Sequence, residues 1–283
     1  MLLAGCKLNK IIRALNETPG ITGVVLGGSR ARGNNHPDSD VDIGIYYDSE
    51  LGFDPSTLNP IASMLDDTHR PELISPLGGW GEWVNGGGWL IMDGFHVDFI
   101  LRDIRRVEKV IADCLEGKVT AHYHAGHPHA YLNAMYLGEI AICKILFDRN
   151  DCIKALKAKT TPYPKEMKKS ILGYFMFEAG FSLMFAEDNA DKDDLYYVAG
   201  HLFRAVSCLN QVLFALNEEY CLNEKKAVKM ITNFPQAPLD YKKRVEEIFT
   251  LLSANASGVV NACRRLEELV AEVNVLVGNE VEV

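Results

Sequence analysis

Asp40 and Asp42 are the residues whose types and spacing most directly suggest chemistry. Residues two apart on a β-strand point to the same face. Val41, Ile43 and Ile45 alternate with them and supply an apolar inner face, so both carboxylates face outward together. Two carboxylates side by side repel and raise each other's pKa unless a cation lies between them. Mg2+ suits such a pair, because it prefers hard oxygen ligands and takes substrate phosphates as its remaining partners. Just upstream, residues 24–26 read as a short buried strand. Gly27 and Gly28 then let the backbone turn sharply and approach a ligand closely. Ser29 falls where a helix N-cap would sit. A helix start offers unpaired N–H groups and partial positive charge, which suits phosphate. A phosphate cradle beside a metal site points to chemistry on a nucleoside triphosphate.

The string Gly28-Ser29-Arg30-Ala31-Arg32-Gly33, followed by Pro37-Asp38-Ser39-Asp40-Val41-Asp42, resembles the signature of the DNA polymerase beta-like nucleotidyltransferase superfamily. The minimal and antibiotic nucleotidyltransferases carry it in this form. The resemblance implies an enzyme in which Asp40 and Asp42 hold one or two Mg2+ ions against the triphosphate of ATP or another nucleotide. It implies that Gly28, Ser29 and Arg30 bind the phosphates. It also implies a third carboxylate, as catalytic base or metal ligand, on a later strand. Asp98 is the best match, within His96-Val97-Asp98-Phe99. Asp103 fits less well, because it stands where a helix N-cap would be.

Several elements must position these groups. Leu8, Ile11, Ile12 and Leu15 have helical spacing over residues 7–16, and Asp54-Pro55 opens a helix at about 57–67. Residues 75–89 form a glycine-rich loop containing all three tryptophans, Trp80, Trp83 and Trp89. It reads either as a hairpin whose tryptophans cap the sheet or as a mobile aromatic lid. Asp93-Gly94 suits a type I′ turn between strands at 89–92 and 95–101. A helix follows at 104–117. His122, His124, His127 and His129 invite a zinc site, but no cysteine is near, and Gly126 and Pro128 mark a turn, so a domain connection is expected. From Tyr131 onward the chain reads as helical throughout, with helices near 130–147, 150–158, 164–187, 191–217, 223–232, 239–254 and 257–277. On these helices Glu139, Lys144, His201 and Arg204 are polar candidates for a substrate cleft. Solvated or interhelical roles are the simpler expectation for all four.

The fold class is therefore α+β: a nucleotidyltransferase domain with a mixed sheet flanked by helices over residues 1–120, then a helical bundle over 121–283. The formal charge of −9, from 29 basic and 38 acidic residues, argues against a long nucleic-acid partner and against RNA end-addition. The first six residues are too short for a signal peptide, and no apolar run reads as a membrane span. Seven scattered cysteines without a Cys-x-x-Cys pair read as thiols of a cytoplasmic protein. The expected partners are a nucleoside triphosphate and a hydroxyl-bearing small molecule, such as an aminoglycoside or lincosamide. Relatives of this kind often work with a second subunit, so a homodimer is compatible. Two other readings stand beside it: adenylylation of a protein side chain, as in minimal nucleotidyltransferase toxin–antitoxin pairs, and nucleotide binding without turnover. The second of these gives no reason for a third carboxylate.

Overall fold

A computed structural model describes residues 5–281, so the reading of the first residues, Met1 to Ala4, lies outside it. The chain begins with α1 (Gly5–Asn16), β1 (Ile21–Leu26), α2 (Gly28–Arg32) and β2 (Val41–Tyr47). Two short 3-10 turns lead into α3 (Asn59–Leu65), and the tryptophan loop precedes β3 (Gly86–Met92), β4 (Phe95–Asp103) and α4 (Ile104–Leu115). Then come β5 (Ala121–His124), β6 (His127–Leu132), α5 (Ala134–Ile142), β7 (Lys144–Asp148) and α6 (Cys152–Ala158). The remainder is helical: α7 (Lys165–Asn189), α8 (Leu195–Leu216), α9 (Ala227–Ile231), α10 (Tyr241–Thr250) and α11 (Ala256–Val281).

Among the described residues, the strands make a five-stranded sheet in the order β3-β4-β2-β1-β7 and a separate β5-β6 hairpin. In the large sheet β2 and β4 run parallel, and the other neighbours are antiparallel. Alternation sorts the side chains. Val41, Ile43, Ile45, Val97, Phe99 and Leu101 enter one core with Ile11 and Leu15 of α1 and Ala62 of α3. The opposite face carries Asp42, Asp98 and Trp89 and, further along, Tyr46 and Arg102. The expected Asp93-Gly94 turn is present, with φ of 51° and 76° at its two residues. Both values are positive, as a type I′ turn requires.

The outer edge of β3 is closed by residues 66–75. Asp66, fully buried, accepts from the Ile91 N–H at 2.9 Å and from Arg70 at 3.0 and 2.6 Å. Its carboxyl lies well below the usual carboxylate range, first because of the Arg70 hydrogen bonds, which outweigh burial. Arg70 Nη2 also donates to the Trp89 carbonyl at 3.2 Å.

The chain divides into two compact units. The first is residues 1–113 together with 136–162, and the second is 114–135 together with 163–283. This differs from a single boundary at residue 120. The expected helix at 130–147 is also corrected. Tyr131 lies in β6, and Lys144–Asp148 is a strand that pairs antiparallel with β1, Leu26 opposite Lys144 and Val24 opposite Phe147. An apolar run of five residues is too short to display a period, so only its neighbour decides between helix and strand. In the second unit, α8 is long and apolar enough to cross a membrane, contrary to the sequence expectation. However, 72% of that window is buried, as in the core helix of a bundle.

Candidate active site

The site is built where β1 ends and β2 begins. The Gly27 N–H donates to the Asp42 carbonyl at 2.8 Å, tying the turn to the strand beside it. Gly28 has φ +57°, and a Cβ there would stand 1.7 Å from Asp42 Oδ2. Glycine is required at this position twice over, by the left-handed backbone and by the carboxylate packed against it. The N-cap of α2 is Gly27, not Ser29. Ser29 is the second helical residue, so its hydroxyl is not used as a cap. The first N–H groups of the helix have no intrahelical acceptor, and the Asp42 carboxylate packs against the Gly28 backbone at the same end.

Arg30, expected as a phosphate ligand, lies with its guanidinium against the following loop. Its guanidinium donates to the Pro37 carbonyl at 3.1 Å, to Ser39 at 3.0 and 2.5 Å and to Asp40 at 3.1 Å. It therefore staples the 34–40 loop to α2 and fixes the backbone that delivers Asp40.

The parallel pairing of β2 and β4 sets Asp42 and Asp98 opposite one another in register. Facing residues of neighbouring strands point to the same side, so the two carboxylates sit together with Asp40 nearby. Asp42 is raised above its usual pKa by burial, then by the charges of Asp40 and Glu139, against the lowering effect of Arg30. Asp98 is pushed up to about 6 by burial, then by Asp42 and Asp40. Among the described residues, no three carboxylate, imidazole or thiolate side chains are gathered closely enough to form a ready metal shell. The donor set nevertheless fits a divalent ion of the Mg2+ type. It is all hard oxygen, and the carboxyls are raised first by burial and then by one another's charge, both of which a bound cation would offset.

Glu139 and Lys144 are brought to the same unit by α5 and β7. Glu139 accepts two bonds from Arg102, at 2.8 and 2.7 Å, and Arg102 is 3% exposed. Arg102 also donates to the Val84 carbonyl at 2.6 Å and lies over the Tyr136 ring. Lys144 is exposed, and its Nζ is 3.4 Å from the Arg30 carbonyl, which places an ammonium beside the glycine turn. No local motif marks Lys144; strand pairing alone brings it there.

The tryptophans divide into two roles. Trp83 is buried against Tyr136, with the Arg106 guanidinium over its ring at 4.7 Å. Trp89 is opposite Asp98 in the β3–β4 register, so its ring is on the site face, 62% exposed. Trp80 stacks on it at 4.6 Å and 18°.

In the second unit, the histidines serve the hairpin. The Glu224 carboxylate accepts from the N–H groups of His129 and Ala130 at 2.9 and 3.2 Å and stands 3.4 Å from His127 Nδ1. His129 Nε2 is 3.7 Å from the Cys208 sulfur. His201 stacks on Phe185, and Arg204 pairs with Glu178, so both make interhelical contacts.

Residues 6–85 match the model of the nucleotidyltransferase domain. Among solved structures, the chain is similar to a nucleotidyltransferase-like protein from Exiguobacterium sibiricum, at 12% identity and a TM-score of 0.47, covering 98% of this chain and 77% of that one. No curated protein matches the chain. With the glycine turn and the paired aspartates inside the matched residues, the chain carries a nucleotidyltransferase domain at its N-terminal end.

Proposed function

We propose that the protein transfers a nucleoside monophosphate, AMP from ATP, to a hydroxyl of a small-molecule acceptor. The observation that carries this reading is the Asp42–Asp98 register beside the Gly28 turn. Bound between Asp40 and Asp42, a divalent cation of the Mg2+ type would neutralise charge on the triphosphate and on the attacking oxygen. The Gly28 and Ser29 N–H groups and the Ser29 hydroxyl hold phosphate oxygens. Lys144 adds an ammonium at the same end. Asp98, on the side away from the turn, takes the proton of the acceptor hydroxyl. A carboxylate with a pKa near 6 is a suitable base for that step. Catalysis is then mostly positioning.

Calorimetric titration of a non-hydrolysable ATP analogue, with and without Mg2+, tests the site. Wild type is expected to bind in a Mg2+-dependent way. Asp42→Asn loses that dependence while its thermal midpoint stays level or rises, because a charge repelling Asp98 is gone. Equal Mg2+-dependent binding by both proteins would sink the proposal.

A further inference from the structure

The acceptor side of the site contains a built feature that the transfer chemistry above does not use. Crossing the sheet from β1 to β3, one meets the glycine turn, then Asp42, then Asp98, then Trp89. In an in-line displacement the attacking oxygen and the leaving pyrophosphate lie on opposite sides of the phosphorus. With the phosphates at Gly28 and Ser29, the acceptor must approach over β4 and β3. The first surface it meets beyond Asp98 is the exposed face of Trp89.

That surface is held in place. Trp80 lies over Gly87, where a Cβ would come within 2.7 Å of its ring and 1.8 Å of the Phe99 carbonyl. The loop behind Trp80 is closed by its own N–H to Asn85 O at 3.0 Å, and Asn85 Nδ2 donates to the Tyr47 hydroxyl at 2.9 Å. Arg70, anchored on Asp66, holds the Trp89 carbonyl. The pair is therefore tied to the sheet at both ends of its loop. Packing of the domain does not call for a tryptophan left 62% exposed at this position, where any strand residue would complete the ladder.

We propose that Trp89, backed by Trp80, stacks against a ring of the acceptor, and that the hydroxyl receiving the nucleotide is borne on that ring. Cross-strand neighbours have Cβ atoms about 5 Å apart. A hydroxyl carried on a ring lying over Trp89 therefore reaches the Asp98 carboxylate, whereas a flexible open-chain alcohol gains nothing from the platform. A sugar or cyclitol offers its apolar C–H face and a phenol its π-face; both are planar enough to stack on indole. This inference rests on the nucleotidyl-transfer reading, because the in-line argument needs the phosphates at the glycine turn.

The test uses the full chain labelled with 15N on the tryptophan indoles, with Mg2+ and a non-hydrolysable ATP analogue present. The Trp89 signal is assigned by its loss in Trp89→Phe. Myo-inositol, N-acetyltyrosinamide and open-chain glucitol are titrated separately. At least one of the two ring compounds is expected to shift the Trp89 indole signal saturably, and glucitol is not. Which ring compound does so distinguishes a cyclitol-like from a phenolic acceptor. Trp89→Ala should weaken binding of that compound about three- to tenfold, as read by calorimetry, and Trp89→Phe should retain most of it. Both variants should bind the ATP analogue as wild type does. If the analogue binds but neither ring compound moves Trp89, or if Trp89→Ala binds the ring compound as well as wild type, this inference falls and nucleotidyl transfer stands. If the analogue itself does not bind, the transfer reading falls first.

Discussion

At the scale of single residues, the loop that carries Asp40 depends on one guanidinium, that of Arg30. Arg30 gathers three carbonyl groups of the 34–40 loop, those of Pro37, Ser39 and Asp40. A planar fork can do this, but a lysine ammonium of different shape and reach cannot. Arg30→Lys is therefore expected to behave like Arg30→Ala, weakening Mg2+-dependent analogue binding by about tenfold. Amide exchange across residues 34–40 should quicken in both variants. Binding at the wild-type level with a loosened loop would show that Asp40 does not need the staple. This role was not legible in the sequence, where an arginine beside a glycine turn reads as a phosphate ligand. Which acceptors a guanidinium meets depends on how the following loop folds back, and no local spacing encodes that.

At the scale of elements, strand alternation made much of the site readable. Asp42 and Asp98 could be set on one face because a period of two, flanked by Val41, Ile43, Val97 and Phe99, leaves that face for the acids, and the family resemblance singled out Asp98; Asp40 lies in the loop just before β2. Lys144 and β7 could not, because a short apolar run takes its conformation from β1. Ser29 as N-cap missed by two positions, the ordinary error at a helix end. The β5-β6 hairpin carries its own prediction. Burial raises the Glu224 carboxyl, but the His127 ring 3.4 Å away and the N–H groups of Glu224 itself, His129 and Ala130 outweigh it and bring it down to about 2, from 4.5. A depressed carboxyl contributes stability above its unfolded pKa and loses it as pH falls through the folded value. The contribution, on the order of 2 kcal/mol, should be full above about pH 4.5 and vanish towards pH 2. Urea denaturation of wild type and Glu224→Gln should show a stability gap at neutral pH that closes over that window. A gap unchanged at pH 2 would assign the effect of the substitution to packing.

At the scale of the whole molecule, the first unit is not one continuous segment. A chain ending at residue 120 lacks β7 and α6, and it leaves the Ile153 side chain missing from above Gly23, where a Cβ would stand 2.6 Å from it. Such a fragment is expected to show no cooperative thermal transition by circular dichroism, whereas the full chain does. A sharp transition in the fragment would mean that β1 tolerates an open edge. The helical second unit meets a different demand. α8 is apolar enough to resemble a membrane span, and its neighbours in the bundle keep it from water.

The late arrival of β7 also has a consequence for biosynthesis. β1 is buried along its whole length, and one edge of it is paired only when residues 144–148 appear. All of the chain from Gly27 to Cys143 is made in between. At translation rates of about 5–20 residues per second, that edge waits on the order of ten seconds with its N–H and C=O groups unpaired. An apolar strand with an open edge invites pairing with other nascent chains. Ribosome-associated chaperones are therefore expected to engage this protein before residue 148 emerges and to release it afterwards.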